Sequence, residues 1–178
     1  MQDIPDNIIK EASEGNMSAF QSIYDVSSDF VYNLAFRMAN NAEDAKEITQ
    51  DVFVNIYKNL KNFQFRSSFK TWAYRIAVNT AINTCKKRTR ESGKLVELTD
   101  DIAAETKEQP NEALIKSLLA ALNPEQRSCI VLRNIEGLSY QEIADTLKIN
   151  INTVRSRLKR AREALVTQFG KRGGKNEL

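Results

Sequence analysis

Apolar residues recur at steps of three and four along nearly the whole chain, and no stretch shows the alternation of a half-buried strand or the dipeptide of a tight hairpin. That periodicity confines the fold to helices packed on helices. Only six glycines and three prolines punctuate the 178 residues. The pattern lapses over residues 92–111, which Ser92-Gly93 opens, acids dominate and Gln109-Pro110-Asn111 closes. About twenty residues without periodicity are long for a loop inside one compact domain. The reading is therefore all-α: two small helical domains, 1–91 and 112–178, joined by a flexible acidic linker over 92–111.

A content of 42% apolar and 28% charged residues is that of a globular protein. The chain has no histidine, which removes the commonest metal ligand and the commonest general base together. Metal-site and catalytic-triad hypotheses therefore start weak, and no catalytic residue, metal or cofactor is expected. Cys85 and Cys129 lie far apart and read as small buried side chains instead of a redox pair. The acidic start, Met-Gln-Asp-Ile-Pro-Asp, lacks the cationic opening of a secretory signal, and no run reaches membrane-spanning length. A cytoplasmic location without membrane insertion is the expectation.

A net charge of +3 conceals segregation. Residues 1–91 carry 12 bases and 11 acids, 92–112 carry 2 and 6, and 113–178 carry 12 and 6. Within the first block the acids stop at Asp51 and resume at Glu91, while Lys58, Lys61, Arg66, Lys70, Arg75, Lys86, Lys87, Arg88 and Arg90 fill the interval. Two cationic stretches separated by an anionic one form a nucleic-acid footprint, though a solvated basic face gives the same count.

The N-terminal block predicts helices over Asn7–Glu14, Ser18–Tyr24, Ser28–Asn40 and Ala42–Leu60. In the last, Ile48, Val52, Phe53, Ile56, Tyr57 and Leu60 share one face, and Glu43, Asp44, Glu47 and Asp51 the opposite one. By themselves the acids fit a solvated face near a helix N-terminus. The run FQFRSSFKTWAYRIAVNTAINT, 63–84, interleaves aromatics with Arg66, Lys70 and Arg75, a combination suited to single-stranded nucleic acid. Phe69, Trp72 and Ile76 stand at the spacing of a helix core; Phe63, Phe65 and Ser67-Ser68 fit either a packed or a base-stacking role.

The C-terminal block is more specific. Leu114, Leu118, Leu119 and Leu122 mark a short helix, and Asn123-Pro124-Glu125-Gln126 caps the next, which carries Ile130, Val131 and Leu132 and stops at Gly137. Ser139 and Glu142 form a capping box for a helix with Ile143, Ala144 and Leu147, and Asn150 caps a final helix reaching about Gln168. A two-turn helix, a three-residue turn and a longer helix make a helix-turn-helix, whose second member enters the major groove. Along that helix Val154, Leu158, Ala161 and Leu165 form the buried stripe. Arg155, Arg157, Lys159, Arg160 and Arg162 follow with no acid between Asp145 and Glu163.

Three segments, which follow one another along the chain in the family's order, resemble the extracytoplasmic-function (ECF) class of bacterial RNA polymerase sigma factors. Leu122 to Leu165, with its run SYQEIADTLKININTVRSRLKRARE, resembles the domain that reads the upstream, minus thirty-five, promoter element. AEDAKEITQDVFVNIYKNL, Ala42 to Leu60, is similar to the helix that docks on the polymerase. SSFKTWAYRIAVNTAIN, Ser67 to Asn83, is similar to the segment that melts and reads the minus ten element. The resemblance implies polymerase docking by Asp44, Glu47, Gln50 and Asp51, on the clamp helices of the largest subunit, with the flap of the second-largest subunit as a further contact. It implies downstream-element contacts by Phe63, Phe65, Arg66, Ser67, Ser68, Lys70, Trp72, Arg75 and Asn79, with the 63–68 loop receiving a flipped base. Upstream contacts would come from Thr153, Arg155, Ser156, Arg157, Lys159, Arg160 and Arg162, of which Arg155, Ser156, Lys159 and Arg160 would face base edges. The implied partners are core RNA polymerase, duplex and melted promoter DNA, and an anti-sigma factor. The chain departs from the family at Gln64-Phe65-Arg66, where many members have an Arg-Gly-Asp-like loop, and at Asn150-Ile151-Asn152, where a small residue or glycine is frequent.

Two rival readings of the residues remain. An autonomous helix-turn-helix regulator accounts for the C-terminal half and leaves the acidic helix and aromatic block unassigned. A nuclease or recombinase would need a carboxylate metal cluster, for which the dense acids of one helix face are the only source.

Overall fold

The computed structural model describes residues 3–91 and 110–173, all helices and short connections. By its contacts the chain divides into two units, Met1–Asn83 and Thr84–Leu178. The acidic stretch 92–109 lies outside the described residues, while Pro110 and Asn111, predicted as the end of the linker, open a helix.

The first unit contains α1 (Asp6–Ser13), α2 (Met17–Ala39), α3 (Ala42–Leu60) and most of α4 (Phe69–Glu91). The predicted break between Tyr24 and Ser28 does not exist. Neither glycine nor proline interrupts Met17–Ala39, and the Ser27 hydroxyl is buried against its own helix, donating to the Ile23 carbonyl. The real break is Asn40-Asn41. Asn40 takes a left-handed conformation, φ 61°, that ends α2, and the Asn41 side chain accepts the N–H groups of Glu43 and Asp44 at 2.8 and 3.2 Å to start α3. Antiparallel packing of α2 and α3 follows from so short a turn.

Between them lie Ile23, Val31, Leu34 and Met38 of α2 and Ile48, Val52, Ile56 and Leu60 of α3, all nearly inaccessible. Each such aliphatic side chain contributes about 1.5–3 kcal/mol of transfer free energy. Tyr57, predicted on this face, sits at its margin and is 47% exposed. Its ring meets Phe20 edge-on at 5.1 Å while the phenol stays near water.

In the second unit, α5 (Pro110–Ala120) leads to α6 (Pro124–Ile130), α7 (Tyr140–Leu147) and α8 (Ile151–Gly173). Both predicted capping boxes form, Asn123 with Gln126 and Ser139 with Glu142. The chain beyond α6 differs from the simple helix expected. Val131–Ile135 widens into a π-helical turn, with Glu136 N–H reaching the Val131 carbonyl at 3.0 Å before Gly137, φ 75°, ends it. Arg133 spans that ending: its Nη1 donates to the Leu138 carbonyl at 2.8 Å, and its guanidinium lies 5.3 Å from the Tyr140 ring centre. The final helix continues past Gln168 to Gly173.

Backbone and side-chain hydrogen bonds from Ser139 hold the fully exposed Glu142 carboxyl below the usual glutamate range. A lowered folded pKa makes the ionised carboxylate stabilising above its unfolded pKa and removes that stabilisation as pH falls through the folded value. Glu142→Gln keeps the box and loses the charge. It should unfold at a lower temperature than the parent near pH 6.5, with the gap closing below about pH 4; thermal melts by circular dichroism across that range check it.

Candidate nucleic-acid interface

The orientation of α8 is set by what it buries. Val154, Leu158 and Ala161 are at most 1% exposed where α8 packs on α6 and α7, whose Cys129 and Ile143 are fully buried. Lys148 turns the chain in a left-handed conformation, φ 53°, and the Asn150 side chain accepts the Asn152 N–H at 2.8 Å to begin α8. The predicted two-turn helix, three-residue turn and long helix are all present.

With the stripe buried, Arg155, Ser156, Lys159, Arg160 and Arg162 emerge exposed along the outer side of α8. They are not equivalent. Arg155 Nη1 donates to the Asn152 side-chain oxygen at 2.9 Å, and Lys159 lies 3.9 Å from the Glu163 carboxylate. Among the described residues no hydrogen bond or ion pair holds Arg160. Thr153 and Arg157 are half-buried. Burial pushes the Cys129 thiol above its ordinary value, and Arg157, close enough to act on that sulfur, partly offsets the rise. Arg157 is thus turned at least in part toward α6. Partial burial likewise raises Cys85, which is only half-buried where a buried side chain was expected, whereas Cys129 is buried as predicted. Asn152 was legible in the sequence only as part of a helix start; its i, i+3 relation to Arg155 was the available signal.

The second cationic region is built on an aromatic cluster. Phe63 is its hub, 4.7 Å from Phe65, 5.1 Å from Trp72 and 6.0 Å from Phe69 between ring centres. Phe69 is buried, as helical spacing predicts, whereas Trp72 and Ile76, expected beside it in the core, are only half-buried at the start of α4. Ser68 begins that helix by accepting the Thr71 N–H at 3.2 Å. Phe65 lies in the left-handed region, φ 54°, with its ring 46% exposed. A bulky residue there costs about 1–2 kcal/mol relative to glycine, so the loop holds an aromatic outward at some expense. Arg66, Ser68, Lys70 and Arg75 are exposed around it, and Ser67 and Asn79 half-exposed.

On α3, Glu47, Gln50 and Asp51 are exposed and Asp44 half-exposed, opposite the buried stripe of the same helix. Beside Gln50, a shallow hollow of about 310 Å³ opens between α2 and α3, lined by Tyr24, Ser28, Asp29, Tyr32, Lys46 and Thr49 as well. No described helix is long and apolar enough to cross a membrane.

Comparison with known proteins agrees with this architecture. Residues 23–91 match the family model for sigma-70 region 2, and residues 112–165 that for sigma-70 region 4. The chain is 32% identical to the ECF RNA polymerase sigma factor SigW of Bacillus subtilis, over 90% of its own length and 94% of that protein. It is 33% identical to ECF sigma factor SigE of Mycolicibacterium smegmatis, over 84% of this chain but 61% of that longer protein. Among solved structures, the sigma factor RpoE in complex with the anti-sigma factor NepR, from Bartonella quintana, is 25% identical with a TM-score of 0.63, covering 82% of this chain and 93% of that one. The chain belongs to the ECF sigma factors, which direct promoter-specific initiation of transcription.

Phe65 and Phe69 separate loop from core in a direct comparison. Phe65→Gly should change unfolding free energy by no more than about 1 kcal/mol, since relief of the left-handed φ offsets the lost ring contact. Phe69→Ala should cost about 3–5 kcal/mol. Urea unfolding of the two variants provides the measurement.

Proposed function

We propose that this chain grips a promoter at two places while an anionic helix anchors it to core RNA polymerase. In this reading α8 lies in the major groove of the minus thirty-five element, and Phe63 to Ser68 with the start of α4 receives the melted strand of the minus ten element. Exposed arginines on a helix suited to the major groove supply the donors that guanine O6 and N7 accept. Exposed rings beside cations supply stacking and phosphate neutralisation for unpaired bases. The observation that carries the reading is the outward cationic side of α8, which burial of Val154, Leu158 and Ala161 leaves facing solvent.

Asp44, Glu47, Gln50 and Asp51 are assigned to the docking surface for the clamp helices of the polymerase's largest subunit, and the second domain to the flap of the second-largest subunit. The two domains are taken as 1–91 and 112–178, with the acidic stretch between them passing near the polymerase's RNA path, where its charge mimics nucleic acid. The chain itself makes and breaks no bond and works in the cytoplasm, where the polymerase is. An anti-sigma factor is assigned as a further partner, supported by the complex of the related RpoE with NepR.

Run-off transcription by bacterial core polymerase with and without the purified chain, on a pool of duplexes randomised over both elements, tests the whole reading. Sequence-selected transcripts that depend on the chain are expected. Arg160→Ala should weaken recognition at one upstream base pair by about 1–3 kcal/mol, and a uniform loss across sequences would count against base reading by that residue. Asp51→Lys should reduce binding to core polymerase, measured by fluorescence titration, more at low salt than at high, because a solvent-exposed charge is screened.

A further inference from the structure

Cationic side chains on α8 differ in how they are held, and that difference bears on which of them discriminates between bases. A long arginine that samples many rotamers loses that freedom when it binds one base edge. It also finds alternative partners in neighbouring phosphates, so its contribution to sequence selection is diluted. An arginine already oriented avoids both costs. Arg155 is such a residue: the oxygen of the Asn152 side chain accepts from its Nη1 at 2.9 Å, one helical turn earlier on the same exposed side. Asn152 is in turn fixed at its backbone, whose N–H donates to Asn150 Oδ1 at 2.8 Å. Lys159, by contrast, has an exposed, 3.9 Å pairing with Glu163.

We propose that Asn152 is a positioning residue for base discrimination: its side-chain oxygen holds the Arg155 guanidinium in the orientation that reads one base pair. This rests on the assignment of α8 to the upstream element. The chemistry is compatible with simultaneous base contact. A guanidinium presents more N–H donors than guanine O6 and N7 require, so the donor committed to Asn152 leaves a free fork for the base. Asn152 needs no contact with DNA to act. Its side chain can be removed without touching the cap of α8, because the bond from Asn150 is made to the backbone N–H of residue 152.

The test uses holoenzyme reconstituted from the full chain and bacterial core polymerase. A sequence is first selected from linear duplexes randomised across the upstream element. Affinities are then measured for it and for every single-base-pair variant of it. Arg155→Ala should flatten the preference at one base pair by roughly five- to hundredfold. Asn152→Ala should flatten the same base pair by about three- to tenfold, leave the others unchanged, and add nothing in the double variant, as coupled residues do. Asn152→Asp, which keeps the acceptor oxygen, should restore the preference at that base pair while lowering affinity evenly for all sequences, since its charge opposes the phosphates. If Asn152→Ala leaves the Arg155-dependent preference intact, or lowers affinity evenly with no change in preference, the positioning role is wrong and the groove assignment stands. If Arg155→Ala and Arg160→Ala both leave every preference unaltered, or no upstream sequence is selected at all, the assignment of α8 itself fails.

Discussion

Packing of the α8 stripe is the interaction on which the C-terminal unit depends. Val154, Leu158 and Ala161 are buried where α8 packs on α6 and α7, and a helix committed on that side has one rotation about its axis. Rotation decides which residues face outward, and on α8 those are Arg155, Ser156, Lys159 and Arg160. The turn before it is equally constrained. Lys148 at φ 53° and the Asn150 cap leave little latitude in the angle between α7 and α8. The exposed cations are therefore a consequence of core packing, and substitutions in the stripe would disturb the outward face without touching it.

In the N-terminal unit packing likewise divides one helix into a buried and an exposed side. On α3 the side carrying Ile48, Val52, Ile56 and Leu60 is consumed by packing with α2, and the side carrying Glu47 and Asp51 is left in water. Alone, that acidic side says nothing: acids near a helix N-terminus are favourable for the helix itself. In the proposed reading that side docks on core polymerase. The aromatic loop is different in kind, because Phe65 is 46% exposed at a left-handed φ of 54°, a conformation that costs a bulky residue more than glycine. In the proposed reading that exposed ring meets an unpaired base.

How much of this could be read from residue order depended on the range of the interactions concerned. Helical periodicity, the two capping boxes, the Asn150 cap and the Val154, Leu158 and Ala161 part of the α8 stripe all involve residues within a few positions of one another and are present as expected, whereas Leu165, predicted in the same stripe, is only half-buried. The continuity of α2 was not legible, because the deciding fact, Ser27 buried against its own helix, requires packing to be known. Tyr57, Trp72 and Ile76 were assigned to the core on spacing alone, but residues at the margin of a stripe are divided between core and surface by the neighbours they meet. The π-helical turn at Val131–Ile135 has no local sequence signal, since its residues would fit an ordinary helix equally well. For the interface, the cationic residues were legible as a group. Their separate restraint, with Arg155 held and Arg160 not, was not.

Unequal restraint matters because electrostatic attraction to DNA and recognition of DNA are different tasks. Phosphate neutralisation is independent of sequence and needs only cations free to follow the backbone, a role that loosely held residues such as Lys159 fill well. Discrimination needs donors fixed in direction, because an arginine that adapts to any acceptor rewards the wrong base almost as much as the right one. A helix covered entirely by mobile cations would bind all duplexes tightly and choose poorly among them. One covered by fully tethered cations would lose affinity with every paired charge. The outer side of α8 combines both kinds, and the α3 acids, which repel phosphates, oppose attachment by that face. A net charge of only +3 is therefore compatible with strong local attraction in the proposed orientation and weak attraction in others.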